Sequence, residues 1–198
     1  MTKRGRQVFA LSLITVCLVA ADQAIKIMVK TSMYLYQRIH VTDWFYLLFT
    51  ENNGMAFGLE VVNKYVLTAF RLILIPVIIY YIRRAIRQGA TWGTVVCMAL
   101  VLAGAIGNIL DCVFYGLIFN NPSPPFVADF VPFGHGYSSL LLGRVVDMFY
   151  FPLVEWDWPS WLGGGHFVFF SPVFNLADAS ISCGIIAILL FYRNRIFR

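Results

Sequence analysis

Charged residues are scarce in this chain. They make up 13% of its 198 residues, whereas hydrophobic residues make up 60% and aromatic residues 17%. Soluble domains carry about 25% charged residues, so too few polar side chains are present to cover a water-facing domain of this length. This composition excludes a soluble enzyme, a disordered chain and a fibrous repeat. Together with a mean hydropathy of +0.74, it predicts an integral membrane protein.

Cysteine and histidine are also rare, and they are not grouped. The four cysteines fall inside long apolar runs, and the three histidines lie apart from one another and from any cysteine. The spacing matches neither a disulfide framework nor a metal site. We therefore expect no metal and no cofactor.

Four stretches are long and apolar enough to cross a bilayer, which takes roughly 20 residues in a helix. The predicted spans cover approximately residues 7–28, 65–82, 92–119 and 172–192. They leave two external segments, 30–63 and 120–171, and they contain no internal repeat of the kind common in secondary transporters. We predict a single integral membrane domain over residues 1–198, an all-α membrane protein with four transmembrane helices.

Basic residues flank these spans in three groups. One group precedes the first span, one separates the second span from the third, and one follows the fourth. The groups are Lys3, Arg4 and Arg6; Arg83, Arg84 and Arg87; and Arg193, Arg195 and Arg198. Because positively charged loops stay in the cytoplasm, both termini are predicted to be cytoplasmic. This arrangement indicates membrane topology and argues against a nucleic-acid partner.

The two external segments differ in composition. The first contains HVTDWFYLLFTENNGMAFGL, a pattern typical of short strands with a turn, so we expect a small extracytoplasmic β-like cradle. The second holds six of the eight prolines and three of the five tryptophans. Proline excludes one long helix there, and tryptophan favours the headgroup region of a membrane. We predict an interfacial, aromatic-rich platform on the outer leaflet.

Four aspartates are expected at one depth. At 1.5 Å per residue, Asp22, Asp111 and Asp178 fall in the outer half of their spans, and Asp147 lies in an apolar run that can fold back to the same level. Ionisable groups inside a bilayer are costly and by default mark function. Two crowded carboxylates share a proton and can activate water, which suggests an aspartic-type hydrolase. A proton- or ion-coupled transporter or channel and a non-enzymatic assembly protein stay open as alternatives.

These side chains also have purely structural interpretations. Asp22 and Lys26 lie four residues apart on one helix face and can form an ion pair. Asn108 and Asp111 can join helices through hydrogen bonds, and Asp178 can stabilise a helix start through the helix dipole. Spacing alone favours the structural interpretation for Asp178 and for the Asp22–Lys26 pair.

Five short motifs occur in order along the chain. They are DQAIK (22–26), ENNGMAFG (51–58), GNILD (107–111), GRVVDM (143–148) and FNLADA (174–179). In this order and at these predicted depths they resemble the motifs of bacterial lipoprotein signal peptidases, also called type II signal peptidases, over most of the chain. One position departs from that family, because Cys112 follows Asp111 where many members have arginine. We consider Arg144 as its replacement.

The resemblance implies an intramembrane aspartyl endopeptidase with Asp147 and Asp178 as its catalytic pair. The implied substrate is a prolipoprotein whose cysteine carries a diacylglyceryl group, and cleavage before that cysteine removes the signal peptide. The implied location is the bacterial cytoplasmic (inner) membrane, with the active site facing the outer leaflet, membrane lipids as partners, and inhibition by cyclic peptide antibiotics of the globomycin type. The residues expected to bind substrate or support the pair are Asp22, Lys26, Asn52, Gly54, Gly107, Asn108, Asp111, Arg144, Asn175 and Ala177.

Overall fold

The computed structural model describes residues 1–53 and 63–192. Five α-helices occur in this part of the chain: α1 (Lys3–Ser32), α2 (Lys64–Arg87), α3 (Trp92–Leu110), α4 (Gly116–Ile118) and α5 (Leu176–Ala187). One π-helix, Asp111–Tyr115, joins α3 to α4, and a second, Ile188–Tyr192, extends α5. Gly54 lies outside the described residues, as do Arg193, Arg195 and Arg198.

Three of the four predicted spans are confirmed as helices long and apolar enough to cross a membrane. They are Lys3–Ser32, Lys64–Arg87 and Trp92–Ile118, with 30, 24 and 27 residues. The fourth apolar helix, Leu176–Tyr192, is shorter. Its predicted start at residue 172 is wrong, because Val173–Phe174 form a strand and the helix begins only after Asn175. The fourth crossing and the cytoplasmic termini stay predictions.

Helix α3 is the centre of the bundle, and α1, α2 and α5 all pack against it. Small residues make its contact with α5 close. A Cβ atom at Gly104 would clash with the carbonyl oxygen of Ala177, and one at Gly107 would lie 2.7 Å from Asp22 Oδ2. Glycine at these two positions therefore lets the start of α5 and the C-terminal half of α1 reach α3.

Four antiparallel strands form the expected cradle, in the order β1–β2–β3–β6. They are β1 (Arg38–Thr42), β2 (Phe45–Asn52), β3 (Val145–Tyr150) and β6 (Val173–Phe174). Strand β3 comes from the second external segment and pairs with β2, so that Thr50 lies opposite Asp147 and Asn52 opposite Val145. The sheet thereby joins two motifs that are far apart in the sequence. The hairpin turn lies at Asp43–Trp44, between β1 and β2.

The rest of the second external segment contains a separate hairpin. Strand β4 (Val154–Trp158) pairs antiparallel with β5 (Gly165–Phe169), and a 3₁₀ turn, Ser160–Leu162, lies between them. Trp156, Trp158 and Trp161 are exposed on this hairpin. Exposed indole rings are what the predicted platform requires, and its position at a membrane surface stays a prediction.

A buried apolar cluster fixes β3 against the helices. Its members include Val29 and Met33 of α1, Phe49 of β2, and Val146 and Met148 of β3. Because neighbouring side chains of a strand point to opposite faces, the residue between Val146 and Met148 faces away from this cluster and towards Asn175 at the start of α5. That residue is the aspartate of the V-V-D motif.

Candidate active site

Asp178 lies in the first turn of α5, where it forms a capping box with Asn175. The backbone N–H of Asp178 donates to Asn175 Oδ1 at 2.9 Å, and the backbone N–H of Asn175 donates to Asp178 Oδ2 at 3.4 Å. A capping box satisfies free N–H groups at a helix start. The structural interpretation of Asp178 is therefore confirmed, and the same hydrogen bonds fix the direction of its carboxyl group.

Asp147, on β3, lies next to the Asn175–Asp178 capping box. Its side chain is buried, with 3% of the residue exposed. Asn175 Nδ2 donates to Asp147 Oδ1 at 2.6 Å, and Asn52, at the end of β2, also hydrogen-bonds to the Asp147 side chain. Two elements from different external segments thus hold this carboxyl group in position.

Two asparagine amides connect the aspartates. Asn175 Nδ2, which contacts Asp147, also donates to Asn108 Oδ1 at 3.2 Å. Asn108 Nδ2 in turn donates to Asp178 Oδ1 at 2.7 Å. The continuous contacts Asp147–Asn175–Asn108–Asp178 place both carboxyl groups in one site. Two carboxyl groups so arranged are suited to acid–base activation of a water molecule.

The surroundings raise the pKa of Asp147 from 3.8 to about 7. Burial is the largest cause, because it penalises the charged form of a carboxyl group, and the neighbouring charge of Asp178 is the next. Hydrogen bonds from Asn175 and Asn52 and the charge of Lys26 act in the opposite direction without reversing the shift. Asp147 therefore titrates near neutral pH, where a general acid is most effective.

Lys26 lies beneath the aspartate pair and is completely buried. Its Nζ atom contacts Asp22 Oδ2 at 2.9 Å, Asp111 Oδ2 at 2.9 Å and Asn108 Oδ1 at 3.0 Å. The predicted Asp22–Lys26 ion pair is confirmed, and Asp111 is a second partner of the same ammonium group. Asn108 joins this ion cluster to Asp178, so the cluster supports the site.

The two carboxylates of the cluster also hold neighbouring backbone groups. Asp22 Oδ1 accepts from the backbone N–H of Ala177 at 3.0 Å, and Asp111 Oδ2 accepts from that of Val146 at 3.2 Å. Ala177 precedes Asp178 and Val146 precedes Asp147. The ion cluster therefore positions both candidate catalytic residues through the residue before each of them.

Gln23 was missed by the sequence interpretation, although it stands in the DQAIK motif. Its Nε2 atom donates to Asp111 Oδ1 at 2.9 Å, to the Gly107 carbonyl oxygen at 3.1 Å and to Asp22 Oδ2 at 3.2 Å. Its Oε1 atom accepts from the Tyr115 hydroxyl at 3.2 Å. One amide thus satisfies oxygens of both carboxylates that bind Lys26. Its place beside Asp22 was the available signal.

Arg144 belongs to a neighbouring polar cluster at the end of the sheet. Its Nη1 atom donates to Glu51 Oε2 and to Asn121 Oδ1, each at 2.9 Å. Glu51 Oε1 also pairs with Lys30, which is buried in α1. Arg144 and Lys30 thus neutralise the buried Glu51 carboxylate from two sides.

A different arginine contacts the unusual Cys112. Arg71, in the N-terminal half of α2, donates from Nη1 to Cys112 Sγ at 3.2 Å. A guanidinium group within a membrane span is costly and by default marks function. Sequence reasoning missed Arg71, because an isolated arginine in an apolar run carries no motif and its neighbour on α3 depends on helix packing.

We expect Lys26→Met to destabilise the protein by about 3–5 kcal/mol, because it leaves two buried carboxylates without their cation. Adding Asp22→Asn and Asp111→Asn should recover much of this loss, since asparagine keeps an oxygen that accepts the backbone hydrogen bonds. Thermal unfolding in detergent measures both effects. Lys3→Met, at the exposed start of the same helix, is the control. A triple variant no more stable than Lys26→Met would contradict the role given to the ion cluster.

Comparison with known proteins relates the whole chain to one group of membrane enzymes. It is 47% identical over 193 residues to the lipoprotein signal peptidase of Porphyromonas gingivalis (strain ATCC 33277), covering 96% of this chain and 84% of that one. It is 34% identical over 209 residues to the lipoprotein signal peptidase of Amoebophilus asiaticus (strain 5a2), covering 99% and 81%. Each of the two alignments therefore covers almost the whole of this chain.

Two solved structures share the fold. Each is of a bacterial membrane enzyme obtained by the in meso method. One, at 2.3 Å resolution, has a TM-score of 0.65 and 22% identity, covering 94% of this chain and 89% of that one. The other, at 1.9 Å resolution, has a TM-score of 0.62 and 23% identity, covering 92% of each. The family model for signal peptidase (SPase) II matches residues 14–193. Since that match includes all five motifs and both aspartates, the chain belongs to the signal peptidase II family.

Proposed function

We propose that this protein is an intramembrane aspartyl endopeptidase that removes the signal peptide from diacylglyceryl-modified prolipoproteins by cleaving before the lipidated cysteine. The observation that carries the proposal is the placement of Asp147 and Asp178 in one site, joined through Asn175 and Asn108. The names of the relatives support the substrate class. The family match favours this function over a transporter, a channel or an assembly protein.

The pair performs hydrolysis while holding one proton at the start and at the end of the reaction. Asp178 takes a proton from water, the water oxygen attacks the peptide carbonyl carbon, and Asp147 gives its proton to the carbonyl oxygen. When the C–N bond breaks, Asp178 returns a proton to the departing amine, and a hydroxyl of the intermediate returns one to Asp147. The raised pKa of Asp147 suits it to hold the first proton.

The proposal includes the location of the protein and the route by which substrate enters. The protein resides in the bacterial cytoplasmic (inner) membrane as a multi-pass protein, with the pair at the outer leaflet. Exposed aromatic rings of Trp44 on the β1–β2 turn and of Trp156 and Trp158 on the β4–β5 hairpin rest at the headgroup level. The diacylglyceryl chains enter sideways from the lipid, and a globomycin-type cyclic peptide competes for the same site.

We expect Asp147→Asn and Asp178→Asn each to lower kcat by about 10²–10⁴-fold, because each removes one partner of the proton transfer. Binding of the lipidated precursor should persist, since asparagine keeps the shape of the side chain. Cleavage of a lipidated prolipoprotein by purified protein in detergent measures this. Asp129→Asn, at an exposed position of the second external segment, is the matched control. Near-normal turnover by either active-site variant would show that the pair is misassigned, and turnover without lipid on the precursor would contradict the substrate class.

We expect activity to fall as pH rises through about 7, because Asp147 then loses the proton that it must donate to the substrate carbonyl. The kcat/KM profile should have an alkaline limb with an apparent pKa near 7, which belongs to the coupled pair. The profile is measured in one detergent with a substrate lacking groups that titrate between pH 5 and 9. A profile that stays flat to pH 9 would contradict proton donation by Asp147.

We further propose that Arg71 supplies the guanidinium group that many family members carry after the G-N-x-x-D motif, where this chain has Cys112. The 3.2 Å contact between Arg71 and Cys112 supports this exchange of position. Arg71→Gln should lower kcat/KM about 10- to 100-fold, as expected for loss of a charged hydrogen-bond donor. Adding Cys112→Arg to that variant should restore most of the activity, whereas Cys112→Ala should not. If Cys112→Arg restores no activity to the Arg71→Gln variant, Arg71 does not replace the arginine that other members carry at this position.

A further inference from the structure

A cavity lies at the end of the bundle opposite the aspartates, away from the proposed peptide-cleavage site. It has a volume of about 530 Å³, within the roughly 300–1,000 Å³ typical of ligand sites. Its apolar walls come from α1 with Val8 and Leu11, from α2 with Ile79 and Ile82, and from α3 with Leu102. Helices α1 and α2 therefore enclose an apolar slot that faces the predicted hydrocarbon region.

Three arginines line the same cavity. Arg83 and Arg87 lie one turn apart on α2, and Arg4 lies one turn before Val8 on α1. Arg4 Nη2 donates to the carbonyl oxygen of Arg87 at 3.0 Å, which ties the two helix ends together. Arg83 and Arg87 also line a second cavity of about 300 Å³, with Arg84. The guanidinium groups of Arg83 and Arg87 thus lie between the apolar slot and the second cavity.

Their positive charge has no acidic partner in the sequence that builds this end. Residues 1–21 and 63–110, which include the three arginines and the whole lining of the cavity, contain no aspartate or glutamate. Guanidinium groups bind phosphate through two parallel hydrogen bonds. The site therefore offers an unmatched positive charge beside a surface suited to a hydrocarbon chain.

We propose that this cavity binds an anionic phospholipid, with its phosphate on Arg83 and Arg87 and one acyl chain in the slot between α1 and α2. Basic pockets between transmembrane helices are a known type of site for anionic headgroups. The proposal does not depend on peptidase activity. The contrary view is that these arginines act only in setting topology during insertion, in which case the folded protein is indifferent to the headgroup.

The test uses the full chain in phosphatidylcholine nanodiscs, with phosphatidylglycerol as the probe, and counts retained lipid by native mass spectrometry. The wild-type protein should retain phosphatidylglycerol in preference to phosphatidylcholine. The double variant with Arg83→Gln and Arg87→Gln should bind phosphatidylglycerol about 30-fold more weakly than the wild-type protein does. Lys3→Gln with Arg6→Gln removes the same charge from the same predicted side, at positions outside the cavity lining, and should change little.

Two further experiments distinguish binding of a phospholipid from binding of a free anion. Ser12→Phe places a ring in the lining of the slot and should weaken phosphatidylglycerol binding without removing any charge. Inorganic phosphate at millimolar concentration should not raise the thermal unfolding midpoint as phosphatidylglycerol does. Equal retention of the two lipids by the wild-type protein would overturn the proposal, as would equal losses in the two charge variants or equal stabilisation by inorganic phosphate. If the arginine variant does not fold, the lipid comparison on the wild-type protein and Ser12→Phe decide the outcome.

Discussion

A single buried ammonium group connects the elements that carry the active site. Lys26 is shielded from solvent, and the cost of burying its charge is offset by Asp22, Asp111 and Asn108. The two carboxylates also accept backbone hydrogen bonds from α5 and from β3. At this depth water cannot easily replace a lost partner. The ends of α1, α3 and α5 and the strand β3 are therefore held in the one arrangement that satisfies the charge of Lys26.

This cluster explains why four aspartates at one depth have two different roles. Asp22 and Asp111 are bound directly to a cation, whereas Asp147 and Asp178 contact neutral amides. The oxygens of Asp22 and Asp111 are taken up by Lys26 and by backbone N–H groups of α5 and β3, so these two carboxylates hold the structure together. Burial and the neighbouring charge of Asp178 raise the pKa of Asp147 to about 7, which suits Asp147 to exchange a proton near neutral pH. Asn108 accepts a hydrogen bond from Lys26 and donates one to Asp178, so it links the position of the cation to the catalytic pair.

Some features of the molecule follow from local sequence and others do not. Long apolar runs predicted four spans, of which three are confirmed as helices long and apolar enough to cross a membrane. Depth along those runs predicted that the aspartates lie at one level, since this depends only on the rise per residue. The pairing of β3 with β2 could not be predicted, because it joins two segments separated by α2, α3 and α4. For the same reason neither the Lys26–Asp111 pair nor the Arg71–Cys112 contact could be read from spacing. The late start of α5 was missed because Val173–Phe174 continues an apolar run while pairing as a strand.

The central claim is that Asp147 and Asp178 act as one unit on one water molecule. The most direct test measures turnover of the lipidated precursor by a double variant that carries both Asp147→Asn and Asp178→Asn. Its turnover is compared with that of each single variant. Residues that act as a unit lose activity together, so removal of the second costs little once the first is gone. The account predicts a double variant about as slow as either single variant. A double variant slower by the product of the two single effects would contradict it.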